Sequence, residues 1–353
     1  MATRKGPPSL LVIGAGVVGM STAVRLQTAI PGCDVTIMAD KFTPETTSDG
    51  AAGIFRPTAE KTPGVPMHIV REWLQDSYDH LSALATSGEA CESGVAFISG
   101  CQFLTKRTEF QEPLLAEFVE GFRELSQKEL ASQPGEHAFG WAWKTVICEN
   151  RIYLPFLTKK FMSHGGTLKS SKLRSLQEIE GDYDVIINCA GFGNTTLMND
   201  KKMVPIRGHL LKVEAPWIKN FIHHPVGRSQ FECYVVPGRN YVTVGGTRMV
   251  GDSDLSIRED DAKVIWENAL RLMPALKGAR IIEQWVGLRP HREPVRLERE
   301  NLTSRSGKLL KVVHNYGHGA EGVSLAWGTA GNAVRLVQET LGLPPTVFTS
   351  SKL

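Results

Sequence analysis

The sequence predicts an α/β protein in which a parallel half is interleaved with a mostly antiparallel β-sheet half. Three observations carry this. A strand–turn–helix–strand unit opens the chain, an alternating apolar/polar stretch fills its middle, and a buried strand near the end runs into a second glycine-rich turn and a long helix. The 353 residues suit about two domains. Hydrophobic residues make up 42% and charged residues 22%, ordinary globular usage that excludes a disordered, collagenous or coiled-coil chain. Forty Lys+Arg against 37 Asp+Glu leave a formal charge of +3, too balanced for a nucleic-acid binder. The 34 glycines cluster in short runs, as where backbone must approach something closely.

Leu10-Leu11-Val12-Ile13 has the unbroken apolar character of a buried parallel strand. Gly14-Ala15-Gly16-Val17-Val18-Gly19 follows, then a helix over 20–29 and a second strand over 35–40, completing a βαβ unit. A helix is expected over 70–86, with Trp73, Tyr78, Leu81 and Leu84 on one stripe, and another over 116–130 with charges of alternating sign on its wet face. Residues 183–189 form a buried strand that stops at Ala190-Gly191-Phe192-Gly193. From His209 to Arg248 the alternation predicts antiparallel strands, with a turn at Pro237-Gly238-Arg239-Asn240. Lys311-Val312-Val313-His314 is a strand again, leading through Gly317-His318-Gly319-Ala320-Glu321-Gly322 into a helix over about 322–341. The dinucleotide-binding half is therefore assigned to residues 1–60, 140–205 and 286–353, and the substrate and interface half to 61–139 and 206–285.

The Gly14–Gly19 run is a dinucleotide fingerprint because of its setting. It follows a strand, opens a helix, and is followed about 20 residues later by an acid, Asp40, ending the next strand. Gly14 makes the tight turn, Gly16 lets backbone approach a pyrophosphate, and Gly19 lets the helix pack on the strand. Asp40 suits ribose hydroxyls and disfavours a 2′-phosphate. The Gly317–Gly322 junction places a second helix N-terminus at the same crevice. It suits the negative charge of a reduced flavin, or else is an ordinary packed turn.

No window is apolar enough to span a membrane. Residues 9–24, behind Arg4 and Lys5, could pass for a signal peptide, but the glycine spacing explains them better. Cys33, Cys91, Cys101, Cys148, Cys189 and Cys233 show no metal or disulfide spacing and read as reduced, mostly buried thiols. Ser351-Lys352-Leu353 matches the peroxisomal import address, behind an extended 344–350 segment that a receptor could reach.

These segments resemble the D-amino-acid oxidase / D-aspartate oxidase family of FAD flavoenzymes over nearly the whole chain. The resemblance rests on residues 12–19, Asp40-Lys41-Phe42-Thr43-Pro44, Thr46-Thr47-Ser48-Asp49, Ala51-Ala52-Gly53, Asn188-Cys189-Ala190-Gly191 and Pro205-Ile206-Arg207-Gly208. It continues in Ala215-Pro216-Trp217, Val244-Gly245-Gly246-Thr247-Arg248, Val286-Gly287-Leu288-Arg289-Pro290 and His314-Asn315-Tyr316-Gly317-His318-Gly319. It implies a Rossmann-like FAD-binding domain, with FAD held by Gly14, Ala15, Gly16, Val17, Val18, Gly19, Asp40, Lys41, Thr46, Thr47, Ser48, Ala52, Gly53, Ile54, Leu173, Ala190, Gly191, Gly317, Gly319 and Gly322.

It further implies that Arg289 and Tyr234 hold the substrate α-carboxylate, that the Gly322 carbonyl accepts from the amine, and that Arg248 meets a side-chain carboxylate. The bland alternative for Arg248 is a surface or ion-paired arginine. The implied reaction is oxidative deamination of acidic D-amino acids with O2, giving the 2-oxo acid, ammonia and H2O2, a product that suits the peroxisomal address. An oxidase of neutral D-amino acids and a non-catalytic flavin-binding protein are the alternatives. The chain departs from the family at Ala320 and Glu321, where a serine contact to the distal carboxylate is lost. It departs again at Arg56, which is either a replacement anion contact or an exposed arginine. These departures leave D-aspartate against D-glutamate open. No metal is expected: His314 and His318 lack a partner at ligand spacing and are expected to hydrogen-bond around the flavin.

Overall fold

The computed structural model describes residues 6–104, 114–135, 137–179, 183–224 and 230–346; the Ser351-Lys352-Leu353 address and residues 347–350 before it lie outside them. The opening unit is β1 (Ser9–Ile13), α1 (Val17–Ala29) and β2 (Asp34–Ala39). Next come α2 (Met67–Thr86), α3 (Ala90–Ser93), β3 (Val95–Leu104), β4 (Glu120–Glu124), α4 (Gln127–Ala131), β5 (Phe139–Cys148) and α5 (Asn150–Ser163). They are followed by β6 (Thr167–Ser170), β7 (Val185–Asn188), α6 (Asn194–Leu197), β8 (Val204–Glu214), β9 (Phe221–His224), β10 (Phe231–Pro237), β11 (Val242–Thr247) and β12 (Met249–Val250). The chain closes with α7 (Glu259–Leu272), β13 (Arg280–Thr303), β14 (Leu309–His318) and α8 (Gly322–Leu341).

The strands form one continuous sheet in the order β4-β5-β3-β9-β10-β11-β8-β13-β14-β7-β1-β2-β6, with β12 paired to β8. Strands β14, β7, β1, β2 and β6 run parallel. From β14 through β13, β8, β11, β10 and β9 every pairing is antiparallel. Strand β13 joins the two regimes, pairing with β8 through Arg280–His291 and with β14 through His291–Thr303. All of β1 is buried. Its Leu10 and Val12 face a core shared with α1, α2, α5 and α8, while Leu11 and Ile13 face Leu176, Ile179 and Leu197 on the other side. Long helices thus cover one face of the parallel strands, and short segments including α6 cover the other.

Two local expectations change. The helix after β1 starts at Val17, so the last glycine of the fingerprint lies inside it. The helix expected over 116–130 is not one element. It divides into a short turn at Leu114–Glu117, strand β4 and helix α4. Gly121 adopts φ +62°, a left-handed conformation that ends any helix there. Phe122 packs on Trp141 and Trp143, and Ser126 with Glu129 forms a capping box that starts α4 afresh. The alternating charges serve cross-strand and capping pairs instead: Lys144 with Glu120 at 2.8 Å and Arg123 with Glu129 at 2.7 Å. All six thiols are free; Cys148, Cys189 and Cys233 are buried, Cys33 and Cys101 half-buried, Cys91 exposed. No helix among the described residues is long and apolar enough to cross a membrane.

Helix α8 is held by close approach to α2. A Cβ on Gly328 would lie 2.2 Å from the Trp73 carbonyl oxygen, and the Gly328 N–H donates to Ser77 Oγ at 2.9 Å. One turn on, Gly331 leaves room for the buried Arg25 guanidinium, which pairs with Asp76 and donates to the Trp327 carbonyl. Gly328→Ala is therefore expected to cost at least about 2 kcal/mol by overpacking, measured by denaturant unfolding.

Candidate active site

Because β14, β7 and β1 run parallel side by side, the turns after β1, β7 and β14 meet at one end of the sheet. The N-termini of α1 and α8 open there onto a cavity of about 530 Å3. Gly14 takes φ +103°, and a Cβ on it would sit 2.5 Å from the Cys189 carbonyl oxygen at the end of β7. A Cβ on Gly19 would sit 2.0 Å from the Gly14 carbonyl oxygen. Gly16 caps α1 without a side chain. The Val17 N–H donates to Ser48 Oγ at 3.0 Å, and Met20 is the first to bond back to Gly16, at 3.0 Å. Helix geometry leaves the Val18 and Gly19 N–H groups without an intrahelical acceptor. The segment bearing Ser48 is tied by buried Asp49, which accepts from Thr43 Oγ1 (2.6 Å), Thr46 N (2.9 Å) and Thr46 Oγ1 (2.6 Å).

The same cavity is lined by Ala15, Asp40, Lys41, Thr46, Thr47, Ala52, Gly53, Ile54, Ala190, Gly191, Gly317, Gly319 and Gly322, and by Tyr234, Arg248 and Arg289. Of the residues assigned from the resemblance to FAD or substrate, Leu173 does not line it; it packs in the cluster of Leu176, Met38 and Tyr183 beneath the parallel strands. Nor does His314, which bonds Glu300 at 2.9 Å and Asn188 at 3.2 Å; among the described residues no group of three potential ligands could hold a metal ion. Arg56 is not an exposed arginine: it lines the cavity with Glu321, the other departure from the family, and with Lys61, Glu232 and His223, to which no sequence signal pointed.

Glycines that carry no fingerprint shape the far end. Tyr234 pairs across the strands with Gly245, and a Cβ there would lie 2.1 Å from the tyrosine oxygen. A Cβ on Gly208 would lie 2.6 Å from Arg289 Nη1, so the guanidinium rests against bare backbone, donating to the Thr247 carbonyl at 3.1 Å. Trp285 is held between Gly50 and Gly287 in the same way. The Arg248 side chain has no hydrogen bond or ion pair among the described residues. Burial pushes the Tyr234 hydroxyl up against the opposing Arg289 cation, which keeps it protonated and able to donate. Burial also lowers His223 and brings His318 down to about 4, so both are neutral at pH 7.

A glycine cradle at a βαβ turn and an arginine-lined chamber share this cavity, the arrangement of a dinucleotide-dependent oxidoreductase. The FAD dependent oxidoreductase (DAO) family model matches residues 9–336, and the chain belongs to that family. It is 42% identical to the D-aspartate oxidase of Homo sapiens over 98% of both chains. It is 35% identical to D-aspartate oxidase 1 of Caenorhabditis elegans, over 95% of this chain and 98% of that one. It is 34% identical to a D-amino acid oxidase of Dugesia ryukyuensis, over 94% and 98%. Glycine oxidase from Geobacillus kaustophilus shares the fold, with a TM-score of 0.73 at 18% identity over 94% of each chain. FAD is the cofactor, and this chain fits it: Gly14 and Gly19 leave out side chains that would strike Cys189 and Gly14 backbone, so the turn after β1 closes tightly, and the N-termini of α1 and α8 open on one cavity with N–H donors suited to the cofactor's anionic groups.

His318 Nε2 contacts Thr329 Oγ1 at 3.1 Å in the first turns of α8. In the unfolded chain this histidine takes a proton near pH 6.5, in the native chain only near 4. Between those values the unfolded state holds more protons, so stability rises with pH. Lowering the pH from 7 to 4 is expected to remove up to about 3 kcal/mol through this group. Denaturant unfolding across that range should show a shallower slope for His318→Asn.

Proposed function

We propose that this chain oxidises acidic D-amino acids, D-aspartate foremost and D-glutamate with it, to the 2-oxo acid, ammonia and hydrogen peroxide. One observation carries the choice of an acidic substrate. Arg248 lines the same cavity as Arg289, with no carboxylate of the described chain to neutralise it. The names of the human and Caenorhabditis relatives support the same reading.

The residues divide the work. Arg289, steadied by the Thr247 carbonyl and by the space at Gly208, offers its remaining N–H donors to the α-carboxylate in a planar fork. Tyr234 donates its hydroxyl to the same group, and Arg248 takes the distal carboxylate. The carbonyl of Gly322, at the start of α8, accepts from the amine. Two anchored carboxylates leave the α-carbon little rotational freedom, so these residues act by orientation. No side chain is needed as a base, because the amine has only to be neutral when the α-hydrogen departs with its electron pair. FAD, when bound, takes up the two electrons and passes them to O2. The imino acid then hydrolyses. FAD binding is assigned to residues 1–60, 140–205 and 286–353, and the substrate and interface role to 61–139 and 206–285. In this scheme β13 passes from one part to the other, and Ser351-Lys352-Leu353 is read by a peroxisomal import receptor.

A charge-assisted hydrogen bond contributes about 1.5–3 kcal/mol. Arg248→Ala is therefore expected to lower the D-aspartate to D-alanine ratio of kcat/KM by about 10- to 100-fold, in steady-state oxygen-consumption assays. Equal losses on both substrates would remove the side-chain role. A fluorescent fusion ending in Ser351-Lys352-Leu353 should collect in peroxisomes and lose that location when these three residues are removed.

A further inference from the structure

One cation of the cavity, Arg56, has no part in this division of work. Arg56 follows Phe55, whose N–H bonds the Val146 carbonyl at 2.9 Å and whose ring is buried against Tyr78 and Phe118. The backbone at this point is thus fixed to β5, and the guanidinium that follows lines the same cavity as Tyr234, Arg248 and Arg289. Burial works against its charge, opposed by the fields of Glu232 and Glu321 and then of Tyr234 and Glu60. Yet among the described residues Arg56 makes a single, long hydrogen bond, 3.4 Å to Gln102 Oε1, and no carboxylate lies within ion-pair distance of it. Glu321 is the buried acid best suited to neutralise it, but Lys61 already holds Glu321 at 3.1 Å. A guanidinium has five donors, and leaving them unused away from water is costly unless an anion completes the set. Inside a substrate cavity, a ligand carboxylate is the anion that can do so.

We propose that Arg56 is a specificity-determining residue that shares with Arg248 the side-chain carboxylate of the substrate, and that Lys61 keeps it available by occupying Glu321. The proposal rests on the acidic-substrate reading. Arg289 and Tyr234 serve the α-carboxylate, so a second carboxylate is what Arg56 has left to meet. A second cation at a different place on the cavity wall also gives acids of two lengths a partner, which a lone Arg248 would not.

The test uses the FAD-loaded enzyme with two readouts. Arg56→Gln should lower the D-aspartate to D-alanine and D-glutamate to D-alanine ratios of kcat/KM by about 10- to 100-fold. It should weaken malonate relative to acetate by a similar factor in equilibrium titrations followed by flavin absorbance, a measurement independent of turnover. Lys61→Met leaves Arg56 in place but frees Glu321 to pair with it, so the same ratios should fall; Lys61→Met combined with Glu321→Gln should restore them. Unchanged ratios and malonate affinity in Arg56→Gln overturn the proposal. So does a Lys61→Met/Glu321→Gln variant no better than Lys61→Met, and this pair decides the matter if Arg56→Gln does not fold. A wild-type enzyme indifferent between D-aspartate and D-alanine removes the acidic-substrate reading and this inference with it. Loss of acid preference in Arg248→Ala but not in Arg56→Gln removes this inference alone.

Discussion

The contact between Gly14 and the end of β7 is the constraint on which the site depends. A side chain at residue 14 would strike the Cys189 carbonyl. Its absence lets β1 and β7 stay in parallel register up to their carboxyl ends, Ile13 opposite Asn188. Strand β14 continues the same register, His314 opposite Asn188. With three strand ends level, the helices that follow β1 and β14 must both begin at one crevice. Their unpaired N–H groups then make one positive rim, although α1 starts at Val17 and α8 only at Gly322 in sequence.

The antiparallel half acts on that crevice through β13. At Gly287–Gly208 the strand crosses β8, and two residues later it presents Arg289 opposite Ile206. Beyond His291 it leaves β8 for β14 and so joins the cofactor end. One strand therefore fixes the Arg289 guanidinium relative to the helix rim, with no loop between them to vary the distance. Glycine sets the side-chain positions at each step, at 208 for Arg289, at 245 for Tyr234 and at 50 and 287 for Trp285. Buried in this setting, the tyrosine stays a donor and the histidines stay neutral, so the positive charge of the chamber lies with the arginines and Lys61.

The parallel half was legible because its signals are local. A buried strand, a glycine turn and a helix follow one another within some thirty residues, and α8 needed only Gly322 and its apolar stripe. The error at 116–130 has the same origin: charges spaced as on a helix are in fact used across strands, and neither Trp141 nor Trp143 can be seen from that window. The resemblance supplied Arg289, Tyr234 and Arg248. It included Gly208 and Gly245 without giving either a role, because both look like ordinary strand glycines until the ring or guanidinium above them is known. Arg56 and Glu321 were visible only as departures from the family, with the role of Arg56 open between two readings, and Lys61 was not visible at all, for a stronger reason. Whether a charged side chain is solvated, paired or aimed into a cavity depends on segments far apart in the chain, here residues 56–61 and the start of α8.

The central claim is that the arginine-lined chamber presents an acidic D-amino acid to the cofactor held by the glycine cradle. Anaerobic titration of the FAD-loaded enzyme tests it most directly, following the oxidised flavin band near about 450 nm. The account predicts that D-aspartate bleaches the band, D-glutamate does so at higher concentration, and D-alanine and L-aspartate leave it unchanged over the same range. Bleaching by D-alanine as readily as by D-aspartate, or no bleaching by any D-amino acid, would contradict it.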